Sequence, residues 1–205
     1  MTSRKPYHHG NLHQKLLEEA TLMIGEQGVD GISMRALAER VGVSRTAAYH
    51  HFKDKNALLC AIAEQGFQHW QAHFAQLMHE QSGDMTRWLK AFVRSYLDLS
   101  WKHPEEYDLM FGRPVWKNGE PTESLKTASF ACFQDYVDLI RLLTQEGQEG
   151  GELSKDIDCL RLAQVSWSML HGMSRLLNDG IYLDRNAIDA MLDSAVEMIL
   201  AAAKV

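Results

Sequence analysis

The chain has few of the residues that interrupt helices or cross-link small folds. Its 205 residues include four prolines and three cysteines. The prolines are Pro6, Pro104, Pro114 and Pro121, which leaves residues 7–103 and 122–205 without a residue that lacks a backbone N–H. Cys60, Cys132 and Cys159 are odd in number and widely spaced. That spacing argues against a disulfide framework or a zinc cluster and for free thiols in a reducing compartment. No apolar run approaches the ~20 residues that a spanning helix needs. No apolar segment follows the first six residues, where a secretion signal would carry one. A cytoplasmic protein with no membrane partner is expected.

Strand-like alternation is missing, as are repeats and low-complexity tracts. There is no glycine-rich phosphate loop behind a strand, no nucleophile motif and no carboxylate pair in a catalytic frame, so neither an enzyme nor a cofactor is expected. Two histidine pairs, His9/His13 and His69/His73, have the four-residue spacing of two ligands on one helix face. No carboxylate or cysteine cluster completes either, and no metal is expected.

What remains is helix. The 45% apolar content supports a substantial core. Leu12, Leu16, Ala20, Met23 and Ile24 recur at three- and four-residue steps, which predicts a first helix from about Asn11 to Gln27 with Gly28 as its stop. Ser33 is placed to cap a short helix through Arg40, and Ser44 another that ends near His51 or Phe52. Val41-Gly42-Val43 forms the turn between them. Asp54 caps a long fourth helix to about Gln81, broken by Gly83-Asp84. A fifth, roughly 85–101, carries Trp88, Phe92 and Tyr96, and Pro104 starts a short sixth. Gly112, Pro114, Asn118, Gly119 and Pro121 mark a loop, and helices near 122–147, 156–178 and 184–203 complete the chain. The expected fold class is all-α: a three-helix N-terminal helix-turn-helix domain (1–53) and a six-helix C-terminal body (54–205).

The segment SMRALAERVGVSRTAAYHHF, residues 33–52, carries the most information. Two short helices joined by a three-residue turn must cross steeply, which requires small residues at the contact. Ala38 and Ala47 are candidates, and Gly42 suits the turn. With Leu37, Val41, Val43 and Ala48 inward, Arg45, Thr46, Tyr49 and His50 are left outward, where they suit phosphates and base edges in a major groove. A helical corner without a DNA role has the same periodicity. Charge is divided unevenly along the chain. Residues 1–60 hold eight Lys and Arg against six Asp and Glu, a net +2, so the whole-chain charge of −6 leaves −8 for the remainder. That division fits a DNA-reading head on an acidic body.

Residues 7–62 resemble the N-terminal domain of TetR/AcrR-type regulators throughout. The resemblance rests on Gly28…Gly31-Ile32-Ser33, Ala38-Glu39…Gly42-Val43-Ser44, Tyr49-His50-His51-Phe52 and Lys53-Asp54-Lys55…Leu58-Leu59. It implies a recognition helix over residues 44–51. Thr46 and Tyr49 would hold phosphates, Arg45 and His50 would reach base edges, and Lys55 and Arg35 would meet phosphate. Ser44 heads this helix. Arg4 and Lys5 would either enter the minor groove as an arm or form a solvated tail. The expected partner is a double-stranded operator, palindromic because the protein is expected to be a homodimer through its last two helices. Val165, Leu170, Met191, Leu192, Ala195, Val196, Met198 and Ile199 supply apolar surface for two faces there.

The resemblance also implies a body that encloses a small apolar or aromatic effector, whose binding releases DNA. Trp88, Phe92, Tyr96, Tyr107, Met110, Phe111, Phe133, Trp167 and His171 are the candidates to line its pocket, and ordinary core is the alternative for each. Trp167-Ser168-Met169-Leu170-His171-Gly172 resembles the Trp-His-Gly signature of one C-terminal subgroup. His171 is either a ligand contact or a core histidine, and Gly172 would admit a neighbouring helix.

Overall fold

The computed structural model describes residues 12–80, 85–117, 119–149, 157–182 and 187–203. Every regular element among them is helical: α1 (Leu12–Gly31), α2 (Met34–Val41), α3 (Arg45–His51), α4 (Lys55–Glu80), α5 (Met85–Lys102), α6 (Pro104–Phe111), α7 (Arg113–Trp116), α8 (Glu123–Glu149), α9 (Cys159–Asn178) and α10 (Ile188–Ala202). The all-α fold, with an N-terminal helix-turn-helix followed by a helical body, is the one expected. The expected stop at Gly28 is present as a non-helical break at φ 74°, ψ 170°, beyond which a short helical stretch runs to Gly31. One detail differs. The expected loop at 112–116 contains the single turn α7, because Pro114 near its start gives up an N–H that has no helical partner there anyway. Among the described residues no helix is long and apolar enough to cross a membrane.

The chain divides into two compact units. One comprises the residues up to 66 together with 105–127; the other comprises 67–104 and 128 onward. The first unit therefore extends past the boundary expected at 53 and takes in α6 and α7. Tyr107, Leu109, Met110 and Val115 of that segment are buried. Gly66 leaves room for Met110, since a Cβ at 66 would lie 2.6 Å from its sulfur. Within this unit α2 packs on both α1 and α3. Arg40 ties α2 to α1: its Nε donates to Glu19 at 3.0 Å and its Nη2 to Glu26 at 2.7 Å.

In the second unit α5 packs on α9 and α10, which also pack on each other. The buried stripe of α9 is Ala163, Ser166, Leu170 and Ser174. Its small members let a neighbouring helix approach closely. α10 buries Ile188, Leu192, Ala195, Val196 and Ile199. Lys90–Asp193 at 2.8 Å and Arg94–Asp189 join α5 to α10.

Gly28 and Gly42 both have positive φ, and a Cβ at either would meet nothing within 4 Å. Any cost of alanine there is therefore a backbone cost. Gly42, at φ 78°, ψ 33°, lies in the left-handed helical region that other residues enter at about 1–2 kcal/mol. Gly28, at ψ 170°, lies in a region essentially reserved for glycine, at roughly 1–3 kcal/mol. Gly28→Ala should lower unfolding free energy more than Gly42→Ala. Urea titrations of the two variants check the order, and equal losses would show that the chain relaxes at 28.

Candidate functional site

The α2–α3 corner is built from local signals. Ser33 Oγ accepts from Ala36 N–H at 3.2 Å and Ser44 Oγ from Ala47 N–H at 3.1 Å, so each serine caps its helix as expected. At the end of α2, Val43 N–H donates to Ala38 C=O at 2.9 Å and Gly42 N–H to Glu39 C=O at 3.1 Å. This paired closure needs a left-handed residue at 42. Leu37, Ala38 and Ala48 are at most 1% exposed. The buried small residue on α3 is thus Ala48, whereas Ala47, expected at the contact, is half-buried.

With Ala48 turned in, Arg45, Thr46, Tyr49 and His50 all lie on the exposed side of α3, as does the capping Ser44. Tyr49 is 50% exposed, a large aromatic ring left in solvent. Arg35 on α2 is exposed as well, and Lys55, the first residue of α4, is half-buried. Asp54 heads α4, its Oδ1 accepting from Ala57 N–H at 2.7 Å. Phe52, 3% exposed, ends α3 and stacks at 4.8 Å on the His13 ring, which also lies 5.8 Å from that of His51. Seven of the nine residues expected at DNA thus lie in the first unit, six of them exposed and Lys55 half-buried. Arg4 and Lys5 lie outside the described residues.

The residues expected around an effector pocket divide between the units. Tyr107, Met110 and Phe111 belong to the first, where the Tyr107 and Phe111 rings are 5.0 Å apart. Pro104 starts a new helix there, and α6 is counted with the head residues. The other six lie in the second unit, five of them in an aromatic assembly. Trp88 stacks on Phe92 at 6.0 Å and Phe92 on Tyr136 at 5.0 Å. Trp167 meets Tyr96, Phe133 and Tyr136 edge-on at 5.1–5.7 Å. Trp70 and Phe74 of α4 complete the assembly against Phe92. Trp70 and Phe74 were not expected at this site, although the four-residue step between them repeats that of Trp88, Phe92 and Tyr96.

The Tyr136 hydroxyl shares a hydrogen bond with Ser166 Oγ at 2.8 Å, and burial pushes its pKa up to about 12 against the pull of that bond. Burial, then the neighbouring Arg175 charge, holds the His171 pKa below its ordinary value and favours the neutral ring. A Cβ on Gly172 would meet nothing within 4 Å, so among the described residues no neighbouring helix uses the space it leaves. His69 and His73 are exposed on α4, while His9 lies outside the described residues.

A capped, glycine-turned helix pair with an exposed polar outer face is the geometry of a helix-turn-helix. Residues 16–62 match the family model for bacterial regulatory proteins of the tetR family, and residues 89–200 match the model for a Tetracyclin repressor-like C-terminal domain. The HTH-type transcriptional repressor AcnR of Corynebacterium diphtheriae is 34% identical over 188 residues, 91% of this chain and 90% of that protein. AcnR of Corynebacterium glutamicum is 26% identical over 190 residues, 92% of this chain and 89% of its own length. A solved structure of a Rhodococcus sp. RHA1 protein of unknown function is 29% identical with a TM-score of 0.82, covering 98% of this chain and all of the other. The chain belongs to the TetR family of transcriptional regulators.

One consequence for the head concerns pH. The Phe52 ring partly shields the otherwise exposed His13 from solvent, and this desolvation, then the His51 charge, holds its pKa below its ordinary value. As pH falls, the unfolded chain takes up this proton before the folded one does. The stability of the neutral form is therefore fully present above about pH 6.5 and declines as pH falls from there through the folded-state pKa. Melting temperatures measured between roughly pH 7.5 and 5.5 should fall less steeply in His13→Gln than in the parent. Parallel profiles would remove His13 as a source of that slope.

Proposed function

We propose that the protein is a homodimeric repressor that binds a palindromic operator through α3 and is released by a small apolar or aromatic effector bound in the C-terminal body. The outward set of Arg45, Thr46, Tyr49 and His50 carries the DNA reading. Four adjacent side chains able to reach phosphates or base edges stand on a helix whose opposite face is closed by Ala48. Tyr49, Thr46, Lys55 and Arg35 hold phosphates, Arg45 and His50 read bases, and Arg4 and Lys5 extend into the minor groove. The repressor names of the AcnR relatives support the direction of control. Such a protein works in the cytoplasm, where its operator is.

Dimerisation is supported by the outer faces of α9 and α10. Their inner faces are buried, yet Val165 is 69% and Met198 62% exposed. A two-fold dimer places recognition helices one DNA turn apart, about 34–36 Å. An effector that favours a different spacing of the heads weakens operator binding by as much as it prefers that state, typically ~1–3 kcal/mol. The aromatic assembly around Phe92, Tyr136 and Trp167, with the neutral His171 on the same helix as Trp167, is the apolar surface proposed to receive it.

The test uses a duplex that the purified protein selects from random-sequence DNA, with mismatched versions beside it. Tyr49→Ala and Lys55→Ala should weaken binding on both, and Lys55→Ala should reduce the dependence of log K on log salt by about one contact per head. Arg45→Ala should erase about 1–3 kcal/mol of preference for the matched site. Equal losses on matched and mismatched DNA would end its base-reading role. Protein that selects no sequence and binds without salt dependence would overturn the whole reading. For the dimer, Val165→Glu combined with Met198→Glu should shift sedimentation from two chains to one and abolish cooperative binding to the two half-sites. A variant that stays dimeric would move the interface elsewhere.

A further inference from the structure

The first turn of α4 is held by a segment more than sixty residues away. Asn56 Nδ2 donates to the Glu120 carbonyl at 2.8 Å, and Glu120 N–H donates back to Asn56 Oδ1 at 3.1 Å. The amide thereby pairs with the Glu120 backbone much as a neighbouring strand would. One turn later the Cys60 thiol donates to the same carbonyl at 3.6 Å. Gly119 makes the approach feasible. A Cβ there would lie 2.5 Å from Asn56 Oδ1 and 2.8 and 2.9 Å from the carbonyl oxygens of Pro114 and Val115. The preceding turn is itself secured, since Trp116 Nε1 donates to the Met110 carbonyl at 2.6 Å.

Packing does not do this work on the side facing the end of α1. A cleft of about 500 Å³ lies there, lined by Gln27, Gly28, Lys55, Asn56, Leu59 and Gly119 among others, so the Asn56 pairing forms part of its wall. Lys55 stands on the rim of that cleft, one residue from Asn56. A lysine reaches phosphate on a flexible stem, so the contact depends on where its Cα is held. Leu58 and Leu59 anchor the inner side of this turn, and on the side open to the cleft the paired hydrogen bonds of Asn56 are what ties it down next to Lys55.

We propose that Asn56 is a positioning residue for DNA binding: its pairing with Glu120, admitted by Gly119, fixes the first turn of α4 and places Lys55 against operator phosphate. This rests on the reading of Lys55 as a phosphate contact. Asn56 touches no DNA itself and acts through its neighbour. Gly119→Ala attacks the same pairing from the loop side and leaves the α3 face unaltered.

The experiment measures affinity of the full-length protein for the selected duplex across a salt series, for the parent, Lys55→Ala, Asn56→Ala, Gly119→Ala and the double variant Lys55→Ala/Asn56→Ala. Circular dichroism melts establish which variants fold. Asn56→Ala and Gly119→Ala should each lose several-fold in affinity and lower the salt slope in the direction of Lys55→Ala, by up to about one contact per head. In the Lys55→Ala background, Asn56→Ala should cost less than twofold more, because the contact it positions is already gone. A parent-like slope in a folded Asn56→Ala or Gly119→Ala protein, or losses that multiply in the double variant, overturns the inference alone. An unchanged slope in Lys55→Ala removes the phosphate reading, and the inference with it.

Discussion

The outward face of α3 exists because the inward side of the α2–α3 corner has almost no volume to spare. Ala38 and Ala48 are buried to within 1% of complete, and Leu37 fills the space beside them. Helices that touch through methyl groups can cross steeply over a short turn, and here the turn is closed by hydrogen bonds from Gly42 and Val43 to the end of α2. Because a seven-residue helix makes about two turns, fixing Ala48 inward fixes every other residue of α3. Arg45, Thr46, Tyr49 and His50 have no inward alternative. The proposed recognition face is thus the complement of a packing constraint.

The two units solve their packing in different ways. The first relies on small side chains, caps and backbone closure, and it draws in α6 and α7 around Tyr107, Met110 and Val115. The second interlocks large rings: Trp70, Phe74, Trp88, Phe92, Tyr96, Tyr136 and Trp167 meet mostly edge to face, the arrangement their charge distribution favours. All of these rings but Trp167 are almost wholly buried, and among them the Tyr136 hydroxyl is satisfied by Ser166.

Much of this was legible before any coordinates. Ser33, Ser44 and Asp54 cap the helices that their positions predict, because capping involves only residues two or three apart. Helix boundaries in the body came close for the same reason. The misplacements were of another kind. Ala47 and Ala48 are equivalent as residue types, and only the phase of α3 against α2 separates them. Tyr107, Met110 and Phe111 share the bulky apolar character of Trp88 and Phe92, and composition alone could not say that α6 groups with the N-terminal helices.

By itself the sequence determined the helices, the corner and the family. These are properties of short windows, where hydrophobic period, caps and a single left-handed glycine act on neighbouring residues. Tertiary structure alone decided which residues distant in the chain meet. Asn56 and Glu120 are unremarkable in their own segments, and no local pattern marks a side-chain amide that will pair with a backbone sixty-four residues away. The same holds for the rings of Trp70 and Tyr136 around Phe92. Such contacts arise where loop closure brings segments together, and their geometry is a property of the packed chain rather than of any stretch within it.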